Sequence, residues 1–142
     1  MKVSARNIFK GPITALQSGA VNAEVSVAIG GGDTLVAIVT MESIRTLELA
    51  VGKEVIALVK APWVMLMSDG GDIRLSARNS LTGTVKSVEV GTVNAEVSIA
   101  LPGGSEIASV ITREAAAELG LKPGATVTAV IKASNVILGV PA

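Results

Sequence analysis

The chain contains no cysteine, no histidine and no tyrosine, and its aromatic complement is one Phe and one Trp in 142 residues. Without thiolates or imidazoles it lacks the usual zinc and haem ligands, the commonest covalent nucleophile and the side chain that titrates near neutrality. Most enzyme mechanisms are therefore poorly supplied. Two aromatics are too few to stack the bases of a single strand, and twelve basic residues against twelve acidic ones leave no net field to attract a polyanion. Nucleic-acid binding is not expected. No apolar run is long enough to span a bilayer, and Met1-Lys2-Val3-Ser4 does not open a secretory pattern. The expectation is a soluble, cytoplasmic protein with no membrane partner.

What the chain has in abundance is Val, Ile, Leu and Ala, which raise the hydrophobic fraction to 49%. The β-branched share favours strands. The chain also repeats itself: residues 2–66 align with residues 74–138 without a gap. Ser4-Ala5-Arg6-Asn7 returns as Ser76-Ala77-Arg78-Asn79, Val21-Asn22-Ala23-Glu24-Val25-Ser26 as Val93-Asn94-Ala95-Glu96-Val97-Ser98, and Lys60-Ala61 as Lys132-Ala133. This predicts two domains, 1–67 and 74–142, joined by a polar, glycine-bearing linker at 68–73.

Each copy reads as strands with one short helix. A long strand is predicted from Val3 to Leu16, bent or bulged at Gly11. After a turn at Ser18-Gly19, Val21, Ala23, Val25, Val27 and Ile29 alternate with Asn22, Glu24, Ser26 and Ala28, the period of a half-buried strand. Gly30-Gly31-Gly32-Asp33 turns into a third strand, Leu35 to Val39. Thr40 then caps a short helix with Ile44 and Leu47 inward. In the second copy Gly120 and Pro123 supply the stop. A fourth strand is predicted from Lys53 to Met67, kinked at Pro62. The fold class is all-β with short helices: two tandem Greek-key β-barrels of the oligonucleotide/oligosaccharide-binding (OB) type, with a β-sandwich as the alternative. Val55, Ala57 and Val59 on one face of the last strand and Ile56 and Leu58 on the other are all apolar, which implies a second subunit covering what one barrel cannot.

The polar residues retained in both copies are mostly donors. Ser4 with Arg6, and Ser76 with Arg78, two apart on a predicted strand, would offer a hydroxyl and a guanidinium from one face, unless the arginine simply pairs with Glu24 or a carbonyl. Thr40 and Ser43, and Thr112 in the second copy, stand where helix-start amides favour an anion, although plain capping is the commoner role. Lys60 and Lys132 end apolar strands, a place that suits either an anion ligand or a lysine reaching for solvent. Gly19-Ala20-Val21-Asn22 and Gly91-Thr92-Val93-Asn94 are hairpin turns that could double as anion nests. Glu24 and Glu96 lack a paired carboxylate and suit salt bridges better than acid-base work. An all-donor set fits a fully deprotonated oxyanion and would disfavour protonated phosphate, whose hydrogen would find no acceptor.

The Ser-Ala-Arg-Asn, Gly-x-Val-Asn-Ala-Glu-Val and Ile/Val-Lys-Ala motifs, occurring in order twice, resemble the molybdenum-pterin-binding or Mop domain, duplicated as in the molbindins. The resemblance implies an OB-type fold, a ring of Mop domains built as a homotrimer, and pockets between subunits that store molybdate or tungstate without any further cofactor. It places the main pocket at Ser4, Arg6, Thr40, Ser43, Lys60 and Ala61, and at Ser76, Arg78, Thr112, Lys132, Ala133 and Ser134, with one domain giving the Ser/Arg end and a neighbour the Thr/Lys end. A second pocket type would use Gly19, Val21 and Asn22 with Gly91, Val93 and Asn94. Ala115 lacks the hydroxyl of Ser43, and Ser134 adds one where the first copy has Pro62, so unequal pockets are expected. The competing reading is a non-catalytic assembly or regulatory interaction module with no physiological oxyanion.

Overall fold

A computed structural model describes residues 1–68 and 73–142, so the expected linker falls outside the described residues except at its ends. The first repeat forms β1 (Asn7–Ser18), β2 (Asn22–Gly30), β3 (Asp33–Thr40), α1 (Met41–Thr46), β4 (Glu54–Val59) and β5 (Met65–Met67). The second forms β6 (Asn79–Val90), β7 (Asn94–Ala100), β8 (Glu106–Thr112), α2 (Arg113–Glu118), β9 (Thr126–Ile131) and β10 (Ile137–Gly139). All the pairings are antiparallel, in two five-stranded sheets ordered β10-β4-β1-β2-β3 and β5-β9-β6-β7-β8. These are two OB-fold-like barrels in tandem.

The alternation in β2 behaves as its sequence demands: Ala23, Val25, Val27 and Ile29 are buried. Val21 departs from it. It stands in the turn before β2 with its side chain 72% exposed, while its carbonyl accepts from the Met41 amide at the start of α1. Gly11 is needed for close approach rather than for a bend, because a Cβ there would lie 1.7 Å from the Ala28 carbonyl oxygen. The irregularity of β1 comes later, between Ile13 and Ala15, and β6 repeats it between Val85 and Ser87.

Two strand expectations need correction. The first strand begins at Asn7, not Val3, so Ser4 and Arg6 lie in the entry segment rather than on one strand face. The reason is the partner: Asn7 pairs with Val59, the last residue of β4, and beyond it no strand edge remains. The predicted fourth strand from Lys53 to Met67 is also broken. A 3-10 turn at Ala61–Trp63, with proline near its start where a missing N–H costs least, redirects the chain after Val59.

After this turn the repeats exchange strands. β5 leaves its own sheet and pairs Met65 with Val130 on β9, while β10 returns to pair Ile137 with Leu58 on β4. The repeat boundaries thus describe the sequence, but each sheet contains a strand from the other repeat. Asn7 and Asn79 secure the joint. Both are 2% exposed, and each side-chain amide caps an edge strand across the joint: Asn7 exchanges two bonds with Ala108, at 2.8 and 2.7 Å, and Asn79 two with Val36, both at 2.7 Å. A buried asparagine placed this way satisfies a backbone donor and acceptor together.

Gly31 and Gly103, equivalent in the repeat, meet where the two β-turns touch. A Cβ on Gly31 would stand 2.2 Å from the Gly103 Cα. Ser105 Oγ donates to the Ile29 carbonyl at 2.6 Å, the Gly103 amide donates to Asp33 at 3.0 Å, and the fully buried Ser109 hydroxyl donates to Val64 at 2.6 Å. One continuous core results, running from Val25, Val27 and Leu35 through Val97, Ile99 and Ile107.

Candidate functional site

The exchange of strands creates a cleft of about 570 Å³ at the junction of the repeats. Repeat two supplies Ser76, Arg78, Lys132, Ala133 and Ser134; repeat one supplies Ile38 from β3 and Pro62, Trp63 and Met65 from the crossover. Five predicted site residues therefore share one cavity. Lys132 stands there with Ser76 and Arg78 of its own repeat, whereas the resemblance had placed the lysine with the threonine end. The volume greatly exceeds that of a tetrahedral ion, which is only a few waters of about 30 Å³ each. Within one chain the cleft is only partly enclosed.

A second recess, of about 310 Å³, adjoins the first through the shared residues Ile38 and Ser134. Asn22, Thr40 and Ser43 line it. Thr40 Oγ1 accepts from the Ser43 amide at 3.1 Å and lies 2.9 Å from the Ser43 hydroxyl, so the helix start is capped by its own side chain. The hydroxyls, not a free amide, are what Thr40 and Ser43 offer. Thr112 caps α2 in the same way through the Ala115 amide, and it lines neither of these cavities.

The first repeat's counterpart of the main cleft is smaller. Ser4 and Lys60 line a recess of about 150 Å³ with Trp63 and Ile137, and Arg6 is not on its wall. Ala61 is buried at the start of the 3-10 turn. The Lys60 ammonium lies 5.8 Å from the centroid of the Trp63 ring, a cation–π contact that repeat two cannot make because Asn135 replaces the indole.

Arg6 and Arg78 are both engaged by carboxylates, and across the joint rather than within a repeat. Arg6 donates through both terminal nitrogens to Glu96, at 2.9 and 2.5 Å; Arg78 donates through Nη2 alone to Glu24, at 2.6 Å. The salt-bridge role read for the glutamates is observed, with each partner supplied by the other repeat. These side chains are partly exposed, so the pairs act on orientation more than on stability.

The turns expected to form a second pocket are largely committed to their own geometry. The Gly19 and Gly91 amides donate to the Asn22 and Asn94 carbonyls, each at 2.8 Å, and the Val21 and Val93 carbonyls accept from the helix starts. Gly91 and Asn94 do line a recess of about 340 Å³, but Glu89 and Glu96 share its wall. Sequence reasoning missed Ile38 and Trp63 as walls and Asn7 and Asn79 as the joint. The asparagines had a signal, since they end both copies of the Ser-Ala-Arg-Asn motif; Trp63 had none, being unmatched in the second copy.

The TOBE domain model matches the chain twice, over residues 3–66 and 75–138. The chain belongs to the TOBE-domain family. Among relatives, it is 45% identical over 141 residues to the molybdenum-pterin-binding protein MopA of Rhodobacter capsulatus, covering 99% of this chain and 53% of MopA. It is 44% identical over 140 residues to the molybdenum transport protein ModE of Azotobacter vinelandii, covering 99% and 52%. The chain thus spans about half the length of these curated relatives. A crystal structure of the cytoplasmic molybdate-binding protein ModG with molybdate bound superposes with a TM-score of 0.95 at 69% identity, covering 99% of this chain and all of that one. The tandem TOBE architecture therefore extends over the whole match to ModG.

Proposed function

We propose that this tandem TOBE protein binds and stores molybdate in the cytoplasm, accepts tungstate at the same sites, and contributes to oxyanion homeostasis without catalysis. The observation that carries the reading is the junction cleft, where Ser76, Arg78, Lys132 and Ser134 gather hydroxyl, guanidinium and ammonium donors beside the Thr40 and Ser43 hydroxyls. The similarity to ModG, a protein crystallised with molybdate, supports it. An ion held there would receive charge-assisted bonds from Arg78 and Lys132 and neutral ones from the hydroxyls. A protonated phosphate would have to use a serine or threonine hydroxyl as its acceptor, giving up a donor that a fully deprotonated oxyanion receives.

In this reading the open cleft is closed by another copy of the chain in a homotrimer, and that copy's Ser/Arg and Thr/Lys residues complete the pocket types. No nucleic acid or membrane partner is invoked. Exposed apolar side chains, among them Val21 and Val93 at 72% and Met65 at 59%, favour assembly of this kind. They also keep alive the second reading, an assembly module without an oxyanion ligand. Isothermal titration with molybdate, tungstate, sulfate and phosphate in identical salt separates the two. Saturable heat with the first two anions alone supports storage; no heat and no melting shift with any anion refutes it and leaves the module.

A further inference from the structure

Arg6 and Arg78 occupy equivalent places in the repeat, yet their guanidinium groups are held differently. Glu96 occupies both terminal nitrogens of Arg6, which does not line the Ser4–Lys60 recess. Glu24 occupies only Nη2 of Arg78, which does line the junction cleft. A guanidinium carries five N–H donors in a rigid plane, so a fork anchored at one tine still presents Nη1 and its other edge to a ligand. We propose that Glu24 is a positioning residue of the oxyanion site, holding Arg78 from across the repeat joint so that its remaining donors face the cleft with Ser76 and Lys132. This rests on the binding function proposed above.

The fold places Glu24 for this task. On β2 it is paired with Ile38 of β3, itself a wall of the cleft, so the carboxylate and the isoleucine share one face of the hairpin. The Arg78 side chain is 55% exposed and would otherwise sample many rotamers. An anchor that restricts it beforehand reduces the freedom lost when an anion binds. The opposing effect is repulsion between the carboxylate and the anion. The guanidinium stands between them, and the partial exposure of the Glu24 side chain, 29%, lets solvent screen what is left. Orientation should win.

The test is molybdate titration of the full chain in wild type, Glu24→Ala, Glu24→Gln, Arg78→Ala and the Glu24→Ala/Arg78→Ala double variant, with urea midpoints of the ligand-free proteins read in parallel. Glu24→Ala should raise the molybdate Kd about tenfold, the low end for losing a group that orients a ligand-binding side chain. Glu24→Gln, whose amide oxygen still accepts from Nη2, should lose less and guards against a folding defect in the alanine variant. With Arg78 already removed, Glu24→Ala should change nothing further. An unchanged or lower Kd in Glu24→Ala overturns the proposal, and so does an equal loss in the Arg78→Ala background. If wild type itself shows no molybdate heat, the storage function falls and this role with it; if wild type binds and Glu24→Ala binds equally, only the positioning role falls.

Discussion

Replacing Asn7 by alanine should loosen the joint between the repeats by deleting one small side chain. Asn7 donates to the Ala108 carbonyl at 2.8 Å and accepts from the Ala108 amide at 2.7 Å, and it is 2% exposed. Alanine removes both bonds and leaves two backbone groups without a partner, at about 1–3 kcal/mol each. Ala108 is half-buried, so water recovers part of that loss and the low end of the range applies, about 2–3 kcal/mol in all. With a urea m-value of about 2 kcal/mol per M, the unfolding midpoint should fall by roughly 1–1.5 M. Asn79→Ala, which strips the same two bonds from Val36, should cost a similar amount. Protein concentration must be held fixed, because any linked assembly also moves the midpoint. Losses below about 0.5 kcal/mol in both variants, the level of an ordinary surface change, would refute the assignment of these asparagines as the joint.

The two copies also supply controls for each other. Glu48 ends the first helix at φ 53°, where the second copy has Gly120 at φ 63°. Glu48→Gly should therefore stabilise by about 0.5–1 kcal/mol, relieving a left-handed residue that bears a Cβ, and a lower melting temperature would contradict the conformation. Trp63→Asn gives the first copy the residue that the second has at 135 and frees Lys60 from a contact worth about 0.5–1 kcal/mol. Molybdate affinity at the first-repeat site should rise roughly two- to fivefold by calorimetry, and an unchanged isotherm would show that the indole does not restrain the lysine.

Much of the barrel was legible because period-two alternation reports which face of a strand is apolar, and Thr40 and Thr112 mark helix starts by a bond they make locally. The strand exchange was not legible for a related reason. Met65, Leu66 and Met67 present the same pattern whether their edge partner is β4 of their own repeat or β9 of the other; a hydrophobic period fixes a face, not a neighbour. The break after Val59 was hidden as well, because Ala61-Pro62-Trp63-Val64 resumes the apolar pattern directly after Lys60, and proline alone signals an edge or kink as readily as a 3-10 turn.

The candidate site was legible as a set of residue types and less so as a geometry. Ser76, Arg78, Lys132 and Ser134 share a cleft as a pattern of donors would suggest, but its walls at Ile38, Pro62, Trp63 and Met65 come from the other repeat and follow only from the exchange. Each arginine meets the glutamate of the opposite copy beside the asparagine that docks on that copy's edge strand. A duplicated chain that trades its last strands makes the environment of each donor set depend on its sister repeat, so divergence in one copy alters the site of the other. Pro62 and Trp63 against Ser134 and Asn135 are such divergences, and all four line the junction cleft. In the first repeat the guanidinium is tied at both ends and the ammonium lies over an indole; in the second the fork is half free, and among the described residues the ammonium has no ion pair. Two donor sets built on nearly the same motif are thereby made unequal, and under the storage function proposed above the second repeat's side should fill first as molybdate is added.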